Sequence, residues 1–213
     1  MNTTMQARFD KLTDDLIAKW STPTGRELLA AGMPIMPYLL EHGPVPISVA
    51  DAGLPEADRH IGFVKYYSDR DYDVELDENG DIIGAGISLA PTANHITELY
   101  GKRYYNWCMG DAIMFPLLLG VDAPAETICP ITGEKITFTV TSTGLDNLSH
   151  PDAHMSLAPA TGGEIRHVFC NHVNLYATGA AAEAAAAEDP TIAVAPAQRG
   201  WAAIKRLVDA NAV

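Results

Sequence analysis

The sequence predicts an α+β chain, with a helical, winged-helix-like N-terminal subdomain over residues 1–90 and a core of mainly antiparallel strands packed with helices over residues 91–213. Three observations carry this. Apolar residues recur at helical spacing early in the chain, at Phe9, Leu12, Leu16, Ile17 and Trp20. Residues Tyr72 to Leu89 alternate around Asn79-Gly80, the dipeptide best suited to a tight hairpin turn. Strand-like alternation returns after Ala125, and an apolar stripe at Trp201, Ile204, Leu207 and Val208 marks a terminal helix.

In order, a helix is expected over Gln6 to Trp20, ended by Thr22-Pro23-Thr24-Gly25. A second follows from Ile35 to His42, Pro44-Val45-Pro46 breaks the chain, and Ser48 is placed to cap a short helix ending at Gly53. Leu54-Pro55-Glu56 then opens a longer helix through Tyr67. Next comes the hairpin, and between Ala90 and Tyr105 the inward groups are Ile96 and Leu99. A buried helix starts near Cys108, is ended or kinked by Pro116 and closes at Leu117 to Gly120. Strands flank the turn Pro130-Ile131-Thr132-Gly133, with Ile136, Phe138 and Val140 inward; His154 to Ala158, Ile165 to Ala177 and Thr191 to Val194 read as further strands. The Ala-rich run Gly179 to Glu188 has high helix propensity but little apolar surface, so it packs closely or lies outside.

Helix, helix, hairpin is the order of a winged helix, and such a unit invites a DNA-binding hypothesis. The charges oppose it. The Pro55 to Tyr67 segment carries Glu56, Asp58, Arg59, His60 and Lys65, the hairpin carries Glu75, Asp77, Glu78 and Asp81, and the whole chain has a formal charge of −13. Phosphate binding needs a concentration of Lys and Arg instead, so no nucleic-acid partner is expected. Residues Met1 to Leu12 hold Arg8, Asp10 and Lys11 with no apolar run, and no stretch approaches membrane-spanning length. A cytoplasmic protein with no membrane partner is the expectation. Three well-separated cysteines fit free thiols in a reducing compartment better than a disulfide framework.

The chemistry-bearing stretch is Trp107-Cys108-Met109-Gly110-Asp111, with a second thiol in Phe169-Cys170-Asn171-His172. Side chains three apart share a face of a helical turn, so Cys108 and Asp111 can address one bound atom. A cysteine at a helix N-terminus has its thiolate favoured by the dipole. Asp111 sits among apolar residues, which tends to raise a carboxyl pKa and suits a proton carrier. The bland alternative is that buried cysteines act only as small hydrophobes.

The wording of Tyr104 to Pro116, Tyr-Tyr-Asn-Trp-Cys-Met-Gly-Asp-Ala-Ile-Met-Phe-Pro, resembles the active-site segment of the organomercurial (alkylmercury) lyases. The stretches Glu78 to Gly84, Ile128 to Gly133 and Phe169 to Val173 follow in the family's order, and the resemblance runs from about Met33 to about Val208. Where some members carry a second cysteine directly after the later catalytic one, this chain has Asn171, so vicinal thiols play no part. The resemblance implies catalytic roles for Cys108, Asp111 and Cys170. One cysteine would bind the organomercurial, the second thiolate would weaken the bond to carbon, and the aspartate would relay a thiol proton to the leaving carbon, with the order of attack open. It also implies that the helical N-terminal part covers the core, that no organic cofactor is required, and that Hg(II) remains as bound product on Cys108 and Cys170, with Asp111 a further candidate ligand. Low-molecular-weight thiols, or the cysteine pair of a mercuric reductase, would remove it.

Thiolates are the softest side chains and suit mercury. Tyr105, Trp107 and Phe169 are candidate substrate neighbours. Cys129 precedes Pro130 in half of a zinc-knuckle pattern whose second cysteine is missing, and it reads as structural. Two competing readings remain: a zinc or copper centre drawn from His150, His154, His167, Cys170 and His172, and a copper or mercury chaperone without lyase activity.

Overall fold

The computed structural model describes residues 3–91 and 94–211. Met1 and Asn2 of the Met1 to Leu12 segment read above as lacking an apolar run, and Thr92 and Ala93 within Ala90 to Tyr105, lie outside the described residues.

Helix α1 (Thr3–Trp20) buries Phe9, Leu12, Thr13 and Leu16 along one face, as its spacing predicts. The Thr22-Pro23 pair starts a helix where a loop was expected. The Thr22 side chain accepts the Gly25 amide at 3.1 Å, and Pro23 sits in the first turn of α2 (Pro23–Gly32), where no amide proton is needed. Helix α3 (Ile35–His42) is as expected. Helix α4 (Ile47–Gly53) begins after Pro46 with no side-chain cap, so Ser48 lies inside it.

The longer helix expected through Tyr67 is broken in two. A 3-10 turn (Glu56–Ile61) ends at Gly62, whose φ of 82° no ordinary side chain adopts cheaply, and α5 (Phe63–Ser68) restarts with its first amide donating to Asp51 at 2.7 Å.

Strands β1 (Glu75–Leu76) and β2 (Ile82–Ala85) form the Asn79-Gly80 hairpin, with a bulge at Glu75 and Leu76. They continue into β3 (Ile87–Ser88), β4 (His95–Leu99) and β5 (Lys102–Asn106). After α6 (Met109–Leu119) come β6 (Ala123–Ile128), β7 (Lys135–Val140) and β8 (Leu145–Asp146). These strands make one antiparallel sheet in the order β1-β2-β3-β5-β4-β6-β7-β8. The hairpin is thus hydrogen-bonded into the same sheet that carries the chain to Cys108, and a bridge between Val45 and Ile82 ties the preceding helices to it.

A second sheet, β10-β9-β11, joins β9 (His154–Leu157), β10 (Leu175–Tyr176) and β11 (Ala193–Pro196). Helix α7 (Ile165–Val168) and a 3-10 turn (Cys170–His172) occupy most of the stretch read as a strand. Ile165, Phe169 and Val173 are four apart, and so short an apolar run satisfies a helical turn as well as a strand. Helix α8 (Gly179–Glu188) buries Ala181, Ala182 and Ala185, the close-packing option for a small-residue helix. Helix α9 (Ala197–Ala210) buries Ile204 and Leu207.

Pro116 sits inside α6 without ending it, and the helix runs on to Leu119 before Gly120. In β4 the buried residues are His95, Thr97 and Leu99, with Ile96 only half-buried. Part of the polar interior is paired: Thr127 Oγ1 and His95 Nδ1 lie 2.8 Å apart, and Asn106 Nδ2 donates to Thr97 Oγ1 at 2.9 Å, while Asn106 Oδ1 is buried without a hydrogen-bond partner. Among the described residues no helix is long and apolar enough to cross a membrane.

Candidate active site

Cys108 is the N-cap of α6, in extended backbone at φ −146° and ψ 172°. Its position is fixed on both sides: the Trp107 amide donates to Gly86 O at 2.8 Å and the Met109 amide to Val173 O at 2.9 Å. The Asp111 amide donates to Cys108 Sγ at 3.4 Å, and the Cys108 amide donates to Asp111 Oδ2 at 3.2 Å. This is a capping box in which cysteine replaces serine and aspartate replaces glutamate. Cys170 comes from a separate segment, at the start of the 3-10 turn after α7. The Phe169 amide donates to Ile165 O at 2.9 Å, and the Ile165 amide to Asp71 O at 2.8 Å, so the second thiol is anchored to the loop before the hairpin.

The two sulfurs and a carboxylate oxygen of Asp111 all lie within 4.8 Å of one another. Both cysteines are buried and Asp111 is half-buried. Burial pushes the Cys108 thiol well above its ordinary value, and its hydrogen bond with Cys170 and the charge of Asp111 push the same way. The dipole-stabilised thiolate expected at this helix start is therefore outweighed by desolvation. At Cys170 the hydrogen bond with Cys108 pulls the thiol down, but burial and Asp111 overcome it and the thiol ends raised; Arg166 acts in the lowering direction. Burial lifts Asp111 to about 6 against the hydrogen bonds it shares with Cys108. The resting site holds two thiols beside a carboxyl that changes state near neutral pH.

The surroundings contain residues that sequence reasoning did not single out. A Cβ on Gly86, whose φ is 82°, would lie 3.1 Å from the Phe115 ring and 3.4 Å from Asp111 Oδ1, so the chain passes directly over the acid. The Arg166 guanidinium lies 4.7 Å from the Trp107 ring centroid and 2.8 Å from Glu75. Tyr72 OH and Trp107 Nε1 are buried without a hydrogen-bond partner. Trp20 packs on Tyr72 with ring centroids 5.1 Å apart, bringing the end of α1 to this side of the molecule. The Gly84-Ala85-Gly86 run was a visible signal of close approach. Arg166 was not, because its four-residue spacing from Cys170 means something only in a helical turn.

Trp107 and Phe169 are buried beside the thiols in sequence, whereas Tyr105 lines an open groove of about 500 Å³ with Ile96, Glu126 and Lys135. That groove includes none of the three clustered residues. Cys129 also stays apart, buried in the β6–β7 turn; burial raises its thiol, but hydrogen bonds from Thr132 and nearby amides prevail and lower it. The histidine alternative is not assembled. His150 pairs with Ser149, His154 with the Asp152 carbonyl and His172 with Asp189, and among the described residues Cys108, Asp111 and Cys170 are the one such cluster of ligand groups.

Comparison with known proteins points to one family. The MerB alkylmercury lyase family model matches residues 87–209, more than half of the chain. An alkylmercury lyase of Pseudomonas putida is 37% identical over 128 residues, covering 60% of this chain and 60% of that protein. One from Staphylococcus epidermidis is 32% identical over 175 residues, covering 76% of this chain and 74% of that protein. The chain thus spans about three-fifths of the first relative's length and three-quarters of the second's. The crystal structure of the mercury-bound form of MerB2 superposes with a TM-score of 0.74 at 18% identity, covering 97% of this chain and all of that one, and so shares the fold of mixed helices and antiparallel sheets. The chain belongs to the alkylmercury lyase family.

Proposed function

We propose that this protein cleaves the carbon–mercury bond of alkyl or aryl mercury compounds by protonolysis, with Cys108, Asp111 and Cys170 as its catalytic residues. The observation that carries this is the buried convergence of two thiols and one carboxyl within 4.8 Å. Thiolate sulfur is the softest protein ligand for mercury, and a bound acid supplies the proton that a departing carbanion needs. The reaction balances as one organomercurial R–Hg–X and two thiols giving hydrocarbon R–H, a dithiolate-bound Hg(II) and HX. One thiol proton leaves with X. The other passes to Asp111, which accepts it as carboxylate and delivers it to carbon.

The raised value of Asp111, about 6, suits that exchange, because a group titrating near neutral both takes and gives a proton readily. The protein supplies every reacting group from its own side chains, so the proposal requires no organic cofactor. Mercury(II) held by two thiolates is a trap, and low-molecular-weight thiols or a mercuric reductase would lift it out. Residues 1–90 serve, in this reading, as a winged-helix-like cover for a catalytic core over residues 91–213, and the site of action is the cytoplasm.

The test is headspace detection of benzene or methane when reduced protein meets phenylmercury or methylmercury with excess thiol. Hydrocarbon in catalytic amounts supports the lyase. Tight mercury binding with none would support a soft-metal chaperone and overturn it.

A further inference from the structure

The Arg166 side chain is the meeting point of three segments that the sequence keeps far apart. It lies four residues before Cys170, stacks 4.7 Å over the indole that directly precedes Cys108, and binds Glu75 of the hairpin at 2.8 Å. Both members of that ion pair are largely withdrawn from water, with side-chain exposures of 25% and 12%. Glu75 is held in turn, because Ser88 Oγ donates to its other oxygen, Oε2. This contact exists only because residue 84 has no side chain: a Cβ on Gly84 would lie 2.5 Å from Glu75 Oε2 and 2.8 Å from Ser88 Oγ. The same hairpin continues to Gly86, whose carbonyl accepts the Trp107 amide.

We propose that Arg166 is a positioning residue which, held by Glu75 and stacked on Trp107, fixes the spacing of the Cys108 and Cys170 sulfurs so that both engage one mercury atom. The proposal deepens the lyase reading above and rests on it for its kinetic arm. A planar guanidinium suits this place because its face can sit over an aromatic ring while its edge pairs with a carboxylate; a lysine keeps the charge but neither geometry. A shift of about 1 Å at a reacting group can cost roughly 100-fold in rate, so a clamp on the spacing acts on turnover more than on capture.

The experiment compares Arg166→Met, Arg166→Lys and Glu75→Gln with the parent, each checked for folding by thermal melting. Phenylarsine oxide, which binds tightly only when two thiols reach one arsenic, reads the spacing without any turnover. Expected are a fall of at least tenfold in phenylarsine oxide affinity for Arg166→Met, partial recovery for Arg166→Lys, and an intermediate loss for Glu75→Gln. With phenylmercury, kcat should fall tenfold to 100-fold while KM changes less than threefold, and Glu75→Gln should add nothing in the Arg166→Met background. Parent-like arsenic affinity and kcat in folded Arg166→Met would overturn the proposal, as would independent, additive effects of the two sites. If Arg166→Met fails to fold, Arg166→Lys and Glu75→Gln decide by the same readouts. A parent that captures the arsenical but releases no hydrocarbon would sink the lyase reading and leave the spacing measurement standing.

Discussion

Cys108 and Asp111 cap one another: each backbone amide donates to the other's side chain, at 3.2 Å to the carboxylate and 3.4 Å to the sulfur. The proposed acid and one proposed mercury ligand therefore hold the start of α6 while holding each other. A reaction that protonates the carboxyl or metallates the thiol alters the cap, so chemistry and local structure are linked here.

The first prediction concerns Asp111→Asn. Asparagine keeps the cap but cannot carry the proton, so mercury binding should persist while turnover falls roughly 100-fold to 10,000-fold. The parent must start with Asp111 as carboxylate, so its kcat should rise with pH through about 6, and that limb should vanish in the variant. Measuring hydrocarbon release from pH 5 to 8 checks both; an unchanged rate would remove Asp111 from the mechanism.

The same substitution should change stability in a defined direction. A carboxyl raised from 3.8 to about 6 binds its proton more tightly folded than unfolded, so the folded state loses stability as pH rises through that range, by up to roughly 3 kcal/mol above it. Asp111→Asn removes this cost. Its melting temperature should exceed the parent's at pH 8 and the gap should close toward pH 4, as calorimetry would show.

His95 works in the opposite sense. Burial lowers it to about 4, against a hydrogen bond with Asn174, so it is neutral in the folded protein at neutral pH. Its contribution is fully present above about 6.5 and is lost as pH falls toward 4, a loss of up to roughly 3 kcal/mol. His95→Gln should be less stable than the parent at pH 7, yet its stability should fall less between pH 6.5 and 4. Denaturant melts at both ends of the window would reveal a parallel decline instead if His95 were not the group involved.

Cysteine replacements should separate by place. Cys108→Ser and Cys170→Ser each remove a proposed soft ligand and proton source, so hydrocarbon release should fall to background. Cys129→Ser, outside the cluster, should keep turnover within a few-fold and show its cost in melting temperature, since it exchanges a fully buried thiol for a hydroxyl. Loss of turnover in folded Cys129→Ser would give that cysteine a part in the reaction.

Gly86→Ala tests the strand over the acid. Its φ of 82° makes any side chain strained by about 1 kcal/mol or more, and the added methyl would press on Phe115 and Asp111 Oδ1. About a tenfold fall in kcat is expected, with a lower melting temperature. Unchanged kinetics would mean that this passage of chain has no hold on the carboxylate.

The local features of this protein were legible because they depend on near neighbours. The stripe of α1, the Asn79-Gly80 turn, the inward Ile136, Phe138 and Val140, and the three-residue spacing of Cys108 and Asp111 all follow from the periods of helix and strand. Where short-range signals competed, the reading slipped. Gly62 divided a helix, Thr22 and Pro23 began one, and the first part of the Ile165 to Ala177 run became helical turns, because its apolar spacing suits both structures, with only its end kept as strand β10. The sequence by itself determined which thiols and acid are proposed for the site and which helix start would present two of them. Only the tertiary structure decided that Cys170 meets them, that Arg166 bridges Glu75 and Trp107, and that Gly86 crosses above Asp111. Those relationships join residues distant in the chain, and they are set by sheet order and packing, for which no short window of sequence carries a period.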